Sequence, residues 1–81
     1  MPKLNKTVIR EWLMKHNWSI GRLARECNAP GMGYFNTETM RNVVNGIDPM
    51  AHGRIRVICR VTARYGDRIP YERLVADPEQ N

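Results

Sequence analysis

Residues 18–46, WSIGRLARECNAPGMGYFNTETMRNVVNG, read as two short helices joined by an irregular turn, and this stretch decides how the rest of the chain is understood. At about 100° per residue, Met40, Val43 and Val44 fall within one arc of about 100° on the second helix. Thr37, Glu38, Arg41, Asn42 and Asn45 fill a complementary arc of about 140°. The first set suits a core and the second a partner. The polar set is short-chained and rich in donors and acceptors: Arg forks onto guanine, Asn pairs with adenine and Glu accepts from cytosine. A merely solvated helix face carries the same pattern, so the remainder of the chain has to discriminate.

Length and composition narrow the choice. With 81 residues and 42% hydrophobic content, the chain supplies one small domain with a modest core, expected over about residues 5–75. Thirteen Lys and Arg against eight Asp and Glu give +5 at neutral pH, and ten of the thirteen are Arg. Planar guanidinium forks suit phosphate, so this balance points towards a polyanionic partner, with a basic helical interaction module as the bland alternative. No apolar run is long enough to span a bilayer, and the start MPKLNKTVIREWL lacks a signal-peptide core; a cytoplasmic protein, in a bacterial host cell, is expected. Cys27 and Cys59 sit among apolar positions of predicted helices and read as small core residues. Two Cys and two His lack C-x-x-C or H-x-x-x-H spacing, so neither a metal nor a disulfide is expected.

In chain order, residues 1–4 form a short basic arm carrying Lys3, expected to be mobile. Asn5 is placed as an N-cap with Leu4 and Ile9 as a hydrophobic staple. A first helix over residues 6–16 follows, burying Val8, Ile9, Trp12 and Leu13 and ending at a left-handed Asn17. Lys6, Arg10 and Lys15 stay outside. Ser19 caps the second helix, whose Ile20, Leu23, Ala24 and Cys27 recur at i, i+3, i+4 and i+7, leaving Arg22 and Arg25 outward. Ala24 is small enough to let a second helix cross closely. Asn28 is expected in the left-handed region, and Pro30, Gly31 and Gly33 prevent continuation. Phe35, Asn36 and Met40 repeat the staple and cap, so a third helix starts near Thr37. Gly46 ends it.

A fourth helix over residues 51–65 carries Ile55, Val57, Ile58, Cys59, Val61, Thr62 and Tyr65 around an arc of about 200°, making it the central core helix. Arg56, Arg60 and Arg64 form an outer ridge that reads as a solvated face. Gly66 ends this helix, and IPYERLV gives a last short one with Pro70 in its first turn. Its Ile69, Tyr71, Leu74 and Val75 need the body of the domain or a second copy to cover them. ADPEQN is a polar tail, expected to be disordered.

LARECN, NTETMRNVVNGIDPM and the apolar helix after them resemble the helix-turn-helix of the bacteriophage lambda repressor and Cro family over roughly residues 8–75. The resemblance implies an all-α, compact five-helix domain spanning the chain. It also implies sequence-specific binding of a double-stranded DNA operator in transcription regulation, as a Cro-like repressor. By the same resemblance Thr37 and Glu38 enter the major groove first, with Arg41 and Asn42 reading bases one turn later. Ser19, Arg22, Asn36, Asn45 and Lys3 are the corresponding backbone contacts. Three departures stand out. Ile20 replaces a Gln that braces the recognition contact in many relatives, Asp48 places a carboxylate where an uncharged contact residue is usual, and the turn is about six residues longer. The extra PGMGYF either lies against the backbone with Tyr34 or bulges into solvent.

A repressor acting by occupancy needs no catalysis, and no carboxylate pair, nucleophile-base set or cofactor loop can be placed, so neither an enzyme nor a cofactor or small-molecule substrate is expected. One short recognition helix reads few base pairs, which predicts a homodimer on DNA, monomeric when free, touching through Ile69, Tyr71, Leu74 and Val75. The lack of a second domain favours a Cro-like protein or the DNA-binding part of a larger repressor. The alternative from another class is a protein-interaction module, such as an antitoxin-like helical partner.

Overall fold

The computed structural model describes residues 1–28 and 35–75. Five helices account for most of them: α1 Lys6–His16, α2 Ile20–Cys27, α3 Thr37–Val44, α4 His52–Tyr65 and α5 Tyr71–Leu74. There is no strand among the described residues; Leu4 and Val75 form an isolated antiparallel bridge. The chain is therefore all-α, with the five helices the periodicity predicts.

Local chemistry sets the helix ends. The Asn5 side chain accepts from the Val8 amide at the start of α1, and Ser19 and Asn36 do the same for Arg22 and Thr39, each satisfying an amide that has no partner within its helix. Asn17 stops α1 in the left-handed region at φ 56, and Gly46 turns the chain after α3 at φ 73, a conformation that costs a glycine little. Asn28 departs from expectation. Its φ of −89 is not left-handed, because its side chain is committed elsewhere: the amide nitrogen donates to the Phe35 carbonyl at 2.7 Å and the amide oxygen accepts from the Phe35 N–H at 2.6 Å. Pro70 is likewise the N-cap of α5 and lies just before its first turn.

One core joins all five helices. Ile9, Leu13, Leu23, Ala24, Phe35, Met40, Val43, Val44, Ile55, Ile58 and Val61 are buried in it, as their spacings require. α2 packs on α3 and α4, α1 on α3 and α5, and α4 on α5. Thr62, fully buried on α4, is compatible with this apolar setting because its hydroxyl donates to the Cys59 carbonyl at 2.8 Å and accepts from the Ile69 amide at 3.0 Å, leaving no unpaired polar atom. Cys27 is buried as expected; Cys59 is only half-buried, at the edge of the core. The two thiols are free.

Two expectations about the termini are overturned. The amino-terminal arm is tied down: Leu4 is fully buried, the Pro2 carbonyl accepts from Met50, and the Asn5 amide donates to Leu74. A leucine in the core holds a short segment more firmly than a loose basic tail allows. Of the two covers expected for the apolar residues of the last helix, the body of the domain supplies it, since Ile69 and Leu74 are buried in the same core and Tyr71 and Val75 pack against it. The expected dimer contact through these four is therefore withdrawn: the arm and α5 cover each other. The expectations for the long turn with Tyr34 and for the tail lie outside the described residues, in 29–34 and 76–81.

Candidate functional site

The outer face of α3 is the candidate. Its amino-terminal residues Thr37 and Glu38 are exposed, as is Arg41, while Asn42 and Asn45 are half-buried. Glu38 and Arg41 lie one turn apart and pair at 3.1 Å. Both are largely exposed, so solvent screens the pair and either side chain is available to a partner. Glu38 also sits in the first turn, where a carboxylate complements the helix dipole. Asn42 closes the far end: its carbonyl accepts from Ile47 at 2.9 Å and Asp48 at 3.3 Å.

Beside this face runs an open groove of about 550 Å³ lined by residues that include Arg10, Ser19, Ile20, Arg41 and Asn45. α1, the start of α2 and α3 thus converge on one surface. Gly21 faces Thr37 across this junction, with room for a methyl group at ordinary contact distance, 3.8 Å from the Thr37 side chain. Met14, 81% exposed, lines the same groove.

Of the predicted backbone contacts, Ser19 and Asn45 line this groove. Asn36 spends its side-chain oxygen on capping α3, 2.6 Å from the Thr39 amide. Arg22 is held elsewhere. Its guanidinium lies 4.3 Å from the centre of the Trp18 ring and 3.8 Å from the Glu26 carboxylate, in an aromatic series where Trp18 meets Trp12 and Tyr65 edge-on. Lys3 sits on the pinned arm and does not line the groove.

Arg10 joins the set although sequence reading left it as a solvated residue. Its Nη1 donates to the Asn45 Oδ1 at 3.0 Å, fixing the end of α3 to α1, and Lys6 lies beside Gly46. With Arg10 and Asn45 separated by 35 positions, no local spacing announces this pairing. His16 stacks on Trp12 with ring centres 4.0 Å apart and meets Asp67 at 3.0 Å. That contact joins the end of α1 to the turn after α4 and lies apart from the α3 face.

Among the described residues there is no group of three His, Cys, Asp or Glu able to hold a metal ion, and no helix is long and apolar enough to cross a membrane. Comparison of the chain with protein-family models, with curated protein sequences and with solved structures finds no match.

Proposed function

We propose that the chain is a sequence-specific regulator that binds double-stranded DNA in the manner of the lambda repressor and Cro family, with α2 and α3 forming the helix-turn-helix. The observation that carries this reading is the exposed polar face of α3 beside a groove bearing Arg10 and Arg41. Base edges are read by short polar side chains that project from a helix fitting the major groove, and phosphates are gripped by cations and helix amino termini alongside it. Thr37 and Glu38 approach the bases first, and Arg41 and Asn42 follow. Ser19, Asn45 and Arg10 hold the backbone. The chain then represses by occupying an operator and excluding polymerase, and two copies on half-sites about one turn apart supply the discrimination that one helix lacks.

Selection from a random DNA pool tests the reading. It predicts one enriched motif, and affinity falling about a thousandfold between 50 and 200 mM salt if about six phosphates are neutralised. Exposed Met14 and Ile47, at 81% and 62%, favour the protein-interaction alternative. Failure of enrichment with a flat salt response would decide for that alternative.

A further inference from the structure

We propose a second ligand site, for a diphosphate-bearing molecule of nucleotide size, in the open groove between the outer face of α4 and the start of α5. The proposal is independent of DNA binding. The groove is about 300 Å³, and Arg56, Cys59, Arg60, Arg68 and Tyr71 line it. That volume lies at the lower end of small-molecule sites. Three of the lining residues are arginines, two from α4 and one from the turn that follows.

Lys15, Arg22 and Arg41 each lie within 4.0 Å of a carboxylate. Arg56, Arg60 and Arg68 have no ion pair among the described residues. Glu72 is the nearby acid whose charge reaches Cys59, alongside those of Arg56 and Arg68, yet it pairs with none of the three. Like charges gathered around one concavity repel, and a multiply charged anion reverses the sign of that interaction. The planar forks match phosphate oxygens two at a time.

One wall is already set. The Arg56 guanidinium lies 4.7 Å from the centre of the Tyr71 ring, and the Tyr71 hydroxyl is tied to His52 Nδ1. The site is also separate from α3, since α4 packs on α2 and α5 whereas α3 packs on α1 and α2. A ligand here leaves the groove-facing surface of α3 open.

Titration calorimetry with pyrophosphate, ADP and a hexaglutamate peptide tests the site in the full chain, comparing wild type with Arg60→Gln, Arg68→Gln and, as a charge control on α2, Arg25→Gln. All three arginines are exposed, so the core is untouched, and circular dichroism checks it. Pyrophosphate and ADP are expected to bind wild type and Arg25→Gln alike and to weaken about tenfold or more in the other two, the value of a charge-assisted hydrogen bond. Absence of binding, or equal loss in Arg25→Gln, overturns the site. Tighter binding of the peptide than of either phosphate compound, with the same dependence on Arg60 and Arg68, overturns the small-molecule assignment in favour of an acidic protein partner.

Discussion

The side chain of Asn28 brackets the backbone of Phe35, accepting from its N–H at 2.6 Å and donating to its carbonyl at 2.7 Å. The end of α2 is thereby fixed to the start of α3, one residue before the Asn36 cap. Phe35 is driven into the core, 1% exposed, and α3 leaves it in a defined direction. The candidate reading helix is thus oriented by one amide side chain together with the buried Met40, Val43 and Val44.

Asn28→Ala removes both hydrogen bonds and leaves two part-buried backbone groups without partners. A loss of about 2 kcal/mol is expected, since each of the two part-buried bonds contributes about 1 kcal/mol net. Asn28→Asp retains the acceptor alone and should fall between Ala and wild type. Urea unfolding measures the series; equal stability of all three would show that the core alone sets α3.

Leu74→Ala tests where the last helix belongs. Leu74 is fully buried and the Leu74 carbonyl accepts from Asn5 at 2.8 Å, so the substitution should cost about 2 to 5 kcal/mol, the range for truncating a core leucine. Sedimentation below the unfolding transition should be unchanged. A shift in association state with little loss of stability would return α5 to the role of a dimer contact.

Acid should reveal the link between α1 and the turn after α4. Asp67 adopts φ 59, and hydrogen bonding to Lys15 foremost, with that to His16 and their charges, holds its carboxyl below the usual carboxylate range. A depressed native pKa contributes stability that is present above the unfolded value, near 3.8, and is lost as pH falls through the native one. Asn tolerates the left-handed backbone, so Asp67→Asn should unfold slightly earlier than wild type at neutral pH. The two curves should converge as pH drops below about 4. Parallel curves down to pH 2 would show that the contact stabilises nothing.

The thiols should differ in reactivity. Burial, assisted by the charge of Glu26, pushes the Cys27 thiol up to about 12. Burial also raises that of half-buried Cys59, where Arg56 and Arg68 oppose it. Since the thiolate reacts, iodoacetamide at pH 8 should modify Cys59 first and Cys27 only on unfolding. Mass spectrometry of the native protein decides the order.

The sequence carried the helices well because their ends are marked by side chains acting within four residues: Asn5, Ser19 and Asn36 as caps, Asn17 and Gly46 as stops. The periodicity of α1 to α4 also named most of the core. Contacts between residues far apart in the chain left no such trace. Leu4 looked like part of a free arm because its bridge to Val75 is invisible locally, and Ile69 and Leu74 looked surplus for the same reason. Asn28 looked like a left-handed stop, as Asn often is, whereas its amide was needed by Phe35. Within the candidate site Thr37, Glu38 and Arg41 were legible from angular spacing, while Arg10 required knowing that α1 lies against the end of α3.

The most direct test of the DNA reading is fluorescence anisotropy of wild type, Arg41→Ala and Asn42→Ala on the duplex selected from the random pool and on an unrelated duplex of equal length. If α3 reads bases, each variant loses about 1 to 3 kcal/mol on the selected duplex and little on the unrelated one, with relaxed discrimination at one base pair. Wild-type affinity that is the same for both duplexes, or a loss that is equal on both, would contradict it.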